Sequence, residues 1–361
     1  MTMAEAPSSR PTPRAVTRPF AWAKSRSFVL AAGCLVVALS VVLGCSVGAV
    51  HVPPLEVLQS VLGLETPHRE MLMSIRFPRV ALGLLVGSGL GLSGASLQGV
   101  FRNPIVDPGF LGISTGAVLF AVVAVVLGGH GAVSTMRTAL GAPLLLSAAA
   151  FVGALVAMLS VRWLATVEGR LSLTALLLSG LAVNTVAGAL TGVLLYAATD
   201  VQVVTVTFWT FGSLGGATWG TVLRVAPIFF LGLLTLPRLG RSLDALVLGD
   251  AEAGHLGILV ERTKLLVIVV SALLVGAQVA VSGLVGFVGL VIPHVLRLWA
   301  GASHKTLLPA SALFGAALVV LADTTARILV KPAELPLGVI TAALGAPFFL
   351  ALLLKERRRL V

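Results

Sequence analysis

Residues 80–101 read VALGLLVGSGLGLSGASLQGVF, a run of 22 positions without a charged side chain. A helix rises about 1.5 Å per residue, so a run of this length spans the roughly 30 Å hydrocarbon core of a bilayer. Its many glycines, alanines and serines are typical of membrane helices that pack closely through small-xxx-small faces. A bundle that encloses a wide cavity would have the same composition.

The whole chain shares this apolar character. Of its 361 residues, 57% are hydrophobic and 11% are charged, whereas an ordinary soluble domain has about 25% charged residues. This composition predicts an all-α, polytopic membrane protein rather than a β-barrel, whose strands alternate over segments of about ten residues. The net charge of +11 comes from basic residues at the chain ends and between apolar runs. Because that pattern reports membrane topology, we expect lipid contact and no nucleic-acid binding.

Ten membrane-spanning helices are predicted from the apolar runs. They cover residues 28–50, 80–101, 109–128, 139–161, 171–197, 219–237, 265–283, 286–301, 307–323 and 335–354. The seventh and eighth could instead be one steep helix, since residues 265–293 carry no charge. Glycines and a proline in VSGLVGFVGLVIPH (281–294) favour a break near Gly283–Gly286. The first run could also belong to a cleaved signal peptide, but it is longer than the apolar segment of a typical signal peptide.

The two basic ends of the chain set its orientation. We expect a disordered cytoplasmic tail over residues 1–27, a ten-span domain over 28–355 and a cytoplasmic basic tail over 356–361. Lysine and arginine concentrate on the cytoplasmic side of membrane proteins, and both ends are basic, so the number of spans should be even. This assignment places RNPIVDPGFLG (102–112) in a cytoplasmic turn, where two prolines end the helix. The turn is either an ordinary hairpin or the lip of a pathway.

Charged and catalytic groups are scarce inside the predicted spans. The acidic residue Asp323 lies four residues before Arg327, which favours an ion pair at a helix end over a proton relay. Cys34 and Cys45 have no metal-ligand spacing, so we predict no metal site. There is no GxxxxGK[ST] motif for ATP binding. An ion-coupled secondary transporter is the alternative from a different class, but a mid-membrane acidic residue of the kind it uses is missing.

A long cytoplasmic loop, PRLGRSLDALVLGDAEAGHLGILVERTK (237–264), carries both charge signs and a short predicted helical stretch. It is either a solvated amphipathic loop or a docking surface for a partner. The residues alone leave both interpretations open.

Several sequence blocks occur together in a familiar order. They are RFPR (76–79), LQGVFRNPIVDPGFLGISTGA (97–117), RLSLTALLLSG (170–180), FWTFGSLGG (208–216), LGDAEAGHLG (248–257), GLVGFVGLVIPHVLRLWAGASHKTLLP (283–309) and ELPLGVITAALGAPFFLALL (334–353). In this order and spacing the chain resembles the permease subunit of type II ABC importers, over about residues 28–355. That family takes up haem, iron-siderophores and vitamin B12.

The resemblance implies a transport subunit rather than an enzyme. Members form a homodimer in the bacterial inner membrane, with both termini in the cytoplasm. They pair with two ATP-binding subunits, which use ATP and Mg, and with a periplasmic substrate-binding protein. The chain itself is expected to bind no cofactor. Haem is the expected cargo because LQGVFRNP..DPGFLG is most similar to the haem branch, with siderophore and vitamin B12 branches as alternatives. Residues that contact the cargo are not identified.

The resemblance also assigns roles to particular residues. Outer arginines of the family meet carboxylates of the binding protein, which implies docking at Arg76, Arg79 and Arg327. The cytoplasmic gate would comprise Asn103, Ile105, Leu173 and Thr174, although Leu173 departs from the polar residues common there. The loop around LGDAEAGHLG matches the helix that couples to the ATPase. Its expected contact residues are Asp250, Glu252, His255 and Gly257.

Overall fold

The computed structural model describes residues 25–129, 131–167, 170–330 and 333–360. The predicted disordered tail lies mostly outside these residues. The α-helices of the described chain are α1 (Arg26–Ser46), α2 (Pro54–Val61), α3 (Arg69–Met71), α4 (Phe77–Phe101), α5 (Ile113–Val126), α6 (Gly131–Leu140), α7 (Ala142–Ala165), α8 (Leu173–Tyr196), α9 (Asp200–Thr210), α10 (Trp219–Thr235), α11 (Gly240–Leu246), α12 (Asp250–His255), α13 (Val260–Ser282), α14 (Val288–Ala300), α15 (His304–Leu329) and α16 (Leu337–Leu360).

Short irregular elements join these helices. A π-helical turn, Leu72–Arg76, leads into α4, and 3₁₀ turns occupy Pro108–Leu111 and Leu236–Leu239. The strands β1 (Thr166–Val167) and β2 (Arg170–Leu171) form a two-stranded antiparallel hairpin before α8. The basic C-terminal segment is not a separate element, because α16 continues through it to Leu360.

The all-α membrane fold predicted from the sequence is confirmed. Among the described residues, seven helical segments are long and apolar enough to cross a membrane, and α5, α14 and the first part of α16 are shorter apolar helices. Each predicted span coincides with one of these ten segments. How many of them cross the bilayer stays a prediction.

The glycine-rich helix α4 is the centre of the bundle. It packs against α15, α13, α14 and α10, and α5 and α7 pack beside this core together with α8. Almost every residue of α4 from Val86 onward is buried. A Cβ added at Gly87 would lie 2.2 Å from the carbonyl oxygen of Gly315. A Cβ added at Gly91 would lie 2.1 Å from the carbonyl oxygen of Ser311. The small residues therefore allow backbone-to-backbone contact, as predicted for close helix packing.

The predicted break between the seventh and eighth spans is also confirmed. Helix α13 ends at Ser282, and α14 begins at Val288. The connecting backbone reverses through Gly283 and Phe287, both with positive φ. Neighbouring polar groups satisfy part of this irregular segment, since the Gln278 amide donates to the Gly283 carbonyl at 2.6 Å. Irregular backbone at membrane depth requires such internal partners.

Candidate functional site

The three arginines predicted to dock a binding protein converge at one end of the bundle. Arg76, Arg79 and Arg327 are respectively 5%, 8% and 8% exposed. The sequence assignment of all three to one rim agrees with this placement. Their burial was not expected, and it means that their hydrogen bonds are made within the chain.

Arg76 and Arg327 cap the carboxyl end of α1. The Arg327 guanidinium donates to the carbonyls of Gly44 and Val47 at 2.9 and 3.1 Å. Arg76 donates to the carbonyls of Cys45 and Val50. The last carbonyls of a helix have no partners within the helix, and positive charge is favourable at that end. These two arginines therefore fix the end of α1 against α4 and α15.

Arg79 is the centre of an ion-pair network. Its guanidinium donates to both carboxylate oxygens of Asp323, at distances of 2.9–3.1 Å, and to Glu334 at 2.9 and 3.1 Å. Asp323 also pairs with Arg327 at 3.2 Å, which confirms the predicted helix-end ion pair. Whereas Asp323 is buried, the Glu334 side chain is 46% exposed. Hydrogen bonds from Arg79 hold the pKa of Glu334 below its usual value, and the charges of Arg79 and Arg327 add to this against the opposing effect of partial burial.

The turn between α4 and α5 contains two of the predicted gate residues. Asn103 is exposed, and its side-chain oxygen accepts a hydrogen bond from the Ile105 backbone N–H at 3.0 Å. Asp107 then caps the 3₁₀ turn by accepting from the Gly109 N–H at 2.8 Å. Burial raises the pKa of Asp107, and the bond from Gly109 opposes this shift. The tight backbone follows from these Asx bonds and from the two prolines.

Helix α8 supplies the other two predicted gate residues at its first turn. Leu173 is half-buried and Thr174 is exposed. Two contacts between this helix and the turn lie further along α8. Gly180 approaches the Phe110 carbonyl, and the Asn184 amide donates to the Gly109 carbonyl at 3.3 Å. The structure thus joins the turn to α8, but it does so about two to three helical turns beyond Leu173.

The predicted coupling residues lie on and just after a short helix, α12. Glu252, His255 and Gly257 are exposed, while Ala253 is fully buried and anchors the helix. Gly257 follows the helix with φ of +80°, a conformation that favours glycine. The predicted helical stretch in this loop is confirmed as α11 and α12. The helix presents polar side chains outward, as a docking surface requires.

Asp250, the first residue of α12, is instead held by the chain itself. One carboxylate oxygen accepts from Arg102 and the other from Lys264. Partial burial acts to raise the pKa of Asp250, but the hydrogen bonds and charges of Lys264 and Arg102 outweigh it and lower that pKa. The Lys264 side chain is 4% exposed and the Asp250 side chain is 48% exposed, so only the lysine of this pair is buried.

Sequence reasoning missed three charged residues of these sites: Arg102, Lys264 and Glu334. Arg102 was visible as the charge that ends a long apolar helix, and Glu334 as the acid before LPLG. Their partners are far away in the chain, so no local spacing could identify the pairs. In the part of the chain that the structure describes, there is no group of three or more His, Cys, Asp or Glu that could hold a metal ion.

The chain is similar to several known membrane permeases. The chain is 44% identical over 299 residues to the hemin transport system permease protein HmuU of Yersinia pestis, covering 80% of this chain and 84% of that protein. It is 41% identical over 280 residues to the cobalamin import system permease protein BtuC of Halobacterium salinarum, covering 78% and 72%.

A solved structure has the same architecture. It is described as an inward-facing conformation of a putative metal-chelate type ABC transporter, and it aligns with a TM-score of 0.77 at 32% identity, covering 92% of this chain and all of that one. The sequence profile of the FecCD transport family matches residues 35–355. This chain, a multi-pass membrane permease, therefore belongs to the FecCD transport family.

Proposed function

We propose that the chain is the permease subunit of an ATP-driven importer that moves haem, or a closely related metal chelate, into the cytoplasm by alternating access. The family assignment over residues 35–355 carries this proposal. Haem is favoured over cobalamin because the relative named for hemin transport is 44% identical to this chain, whereas relatives named for cobalamin or vitamin B12 import are 37–41% identical. Ferric siderophores are the other alternative within the family.

The orientation follows from charge and from the two ends of the bundle. From the positive-inside rule we infer that both basic termini lie in the cytoplasm of a bacterium, which would put α12 on the cytoplasmic side and the Arg79 network on the outer side of the inner membrane. ATP and Mg would be used by two separate subunits that dock on α12, through Glu252, His255 and Gly257. This chain would bind no cofactor.

A homodimer is supported by the composition of α8. Gly188 and Gly192 are exposed, lie four residues apart, and have nothing within 4 Å of an added Cβ. A GxxxG pair lets two membrane helices approach closely. Small residues serve this purpose at α4, where neighbouring helices fill the space. On α8 the same spacing is left uncovered, and we propose that a second copy of the chain packs there.

The outer network suggests how a periplasmic substrate-binding protein docks. Arg76 and Arg327 shape the rim by holding the end of α1, and Arg79 supplies the charge that a partner's carboxylate would meet. Because Glu334 is half-exposed and already bound to Arg79, the incoming carboxylate would replace Glu334 rather than meet a free arginine. Charge pairs of this kind mainly set orientation and encounter rate.

Reconstitution tests the proposed function. The chain is placed in liposomes with its ATPase and a candidate binding protein, and uptake of haem, cobalamin and a ferric siderophore is measured with and without ATP. ATP-dependent uptake with haem preferred is the expected result. Uptake that continues without the ATPase would instead support the ion-coupled carrier, and preference for another chelate would reassign the cargo.

A further inference from the structure

The turn that contains Asn103 and Ile105 is attached to the helix proposed to dock the ATPase. At the end of α4, Arg102 adopts a left-handed conformation with φ of 52°. Its Nε donates to the Leu246 carbonyl at 2.6 Å, and its Nη2 donates to Asp250. Leu246 is the last residue of α11, and Asp250 is the first of α12. One side chain therefore joins three helix ends.

The conformation of Arg102 is unusual for a residue with a side chain. The left-handed cap position at a helix end is normally occupied by glycine, and among the described residues only Arg102 and Phe287 are non-glycine residues with positive φ. Strained backbone of this kind persists where surrounding contacts hold it in place. The bonds to Leu246 and Asp250 are the contacts that hold Arg102.

A second cation extends this connection into the bundle. Lys264, in the second turn of α13, donates to the other oxygen of Asp250 and lies 3.5 Å from Glu261. Helix α12 packs mainly on α11 and α13, and Lys264 ties it to the start of α13. Asp250 accepts from both sides, so a displacement of α12 must either carry Arg102 with it or break a charged hydrogen bond.

The end of the turn is attached to α8, and the start of the turn borders a cavity. The Asn184 amide holds the Gly109 carbonyl at 3.3 Å. A cavity of about 430 Å³, lined by Arg102, Asn103 and Pro104 among others, lies against the turn. The start of the turn, at residues 102–104, therefore has room to move, whereas Val106 and Leu111 further along it are packed in the core.

From these contacts we propose that Arg102 and Asp250, with Lys264, form a strut that makes the 102–112 turn follow the ATPase-docking helix. This inference rests on the proposed function. It changes the role of Asp250, from a surface contact for the ATPase to a link inside the permease. Arg102 and Asp250 are positioning residues, because they act on the pathway only through the turn.

The test uses the full complex with its ATPase in liposomes. Cys34 and Cys45 are replaced by Ala, and Ile105→Cys reports exposure of the turn to a membrane-impermeant maleimide, with and without ATP. Arg102→Gln removes the strut and Arg102→Lys keeps the charge. The matched control is Arg241→Gln, which changes an exposed arginine of α11.

We expect Arg102→Gln to leave ATP hydrolysis near the parent rate and to reduce both the ATP-driven change in labelling and the cargo moved per ATP by about fivefold. Arg102→Lys should recover at least part of the labelling change, and Arg241→Gln should match the parent. The double variant Arg102→Gln with Asp250→Asn should be no worse than the poorer single variant, because both remove one link.

Three results would overturn the strut. One is a parental labelling change and parental transport per ATP in Arg102→Gln. Another is additive loss in the double variant. If Arg102→Gln does not assemble, Asp250→Asn takes its place, and a parental labelling change and parental transport per ATP in Asp250→Asn contradict the proposal. If neither labelling nor uptake depends on ATP in the parent complex, the importer function is refuted, and the strut proposal is refuted with it.

Discussion

Arg79 and Asp323 are 244 positions apart in the chain, yet the guanidinium donates three hydrogen bonds of 2.9–3.1 Å to that one carboxylate. Asp323 is 4% exposed. The pair fixes α4 to α15, the two helices with the most extensive contact in the bundle. Because Arg327 shares the carboxylate, Asp323 compensates two buried cations, and its charge should matter more than that of Glu334.

Asp323→Asn should strongly destabilise the protein. Removal of one partner from a buried ion pair typically costs about 3–5 kcal/mol, because the remaining charge stays buried without compensation. Thermal unfolding of the purified protein in detergent measures the loss. Glu334→Gln is the matched control, since its half-exposed pair should contribute no more than about 1 kcal/mol. Equal losses in the two variants would show that burial does not distinguish these carboxylates.

Gly94→Ala should disrupt packing between α4 and α14. An added Cβ would lie 1.9 Å from the Gly289 carbonyl oxygen and 2.5 Å from its Cα, so the helices must separate or the backbone must shift. Overpacking of this kind typically costs about 1–3 kcal/mol. Gly220→Ala in α10 is the control, because its added Cβ would meet only the Thr218 hydroxyl at 3.7 Å. A melting temperature of Gly94→Ala equal to that of the control would contradict the close approach.

Local pattern in the sequence was enough to predict the main apolar helices, but not the shorter helices α2, α6 and α9. The apolar runs located the ten apolar helical segments, and the glycines of 281–294 predicted the break that the structure places between Ser282 and Val288. Spacing along one helix predicted the pair of Asp323 and Arg327. These features depend on residues that are neighbours in the chain, so the sequence contains the necessary information.

Long-range pairing was beyond prediction. The predicted topology placed Arg76, Arg79 and Arg327 on the same side as the end of the first span, but it gave no indication that α1 offers its carbonyls to two of them. Asp250 was predicted as a partner contact because LGDAEAGHLG resembles the family's ATPase-coupling helix. Its partners, Arg102 and Lys264, come from other helices, and only packing of the bundle brings them together.

The contribution of the Arg79–Glu334 pair to stability should disappear in acid. The pKa of Glu334 is lowered in the folded protein from its usual value of 4.5, so the folded state binds the carboxyl proton less readily than the unfolded state. The pair therefore stabilises the fold above about pH 4.5 and loses this effect as the pH falls through the lower, folded-state value. The difference in melting temperature between the parent and Glu334→Gln should shrink from pH 6 toward pH 3.5. A difference that grows on acidification has the wrong sign.

Glu334→Gln should also tighten docking of the binding protein. If a partner's carboxylate must replace Glu334 on Arg79, removing the competing charge should strengthen binding about twofold to fivefold, the size of a partly exposed ion pair. Surface plasmon resonance with the permease in lipid nanodiscs measures the affinity. Glu70→Gln, at an exposed acid of α3 on the same predicted side, serves as the control and should leave the affinity unchanged. Weaker binding in Glu334→Gln would show that Glu334 assists docking and would end the exchange hypothesis.

The dimer proposal is tested at the exposed face of α8. Gly188→Leu with Gly192→Leu fills the GxxxG groove, so a second helix can no longer approach it closely. The variant should run as a monomer in mass photometry of detergent-solubilised protein, where the parent runs as a dimer. Its melting temperature as a monomer should not fall, because no atom of another part of the chain lies within 4 Å of a Cβ added at either glycine.

Leu178→Ala and Val193→Ala, at exposed positions of the same helix, distinguish a glycine-specific contact from general apolar association. If packing depends on the glycines, these truncations leave most of the dimer intact. A dimer that survives both leucines must be held by another face of the bundle.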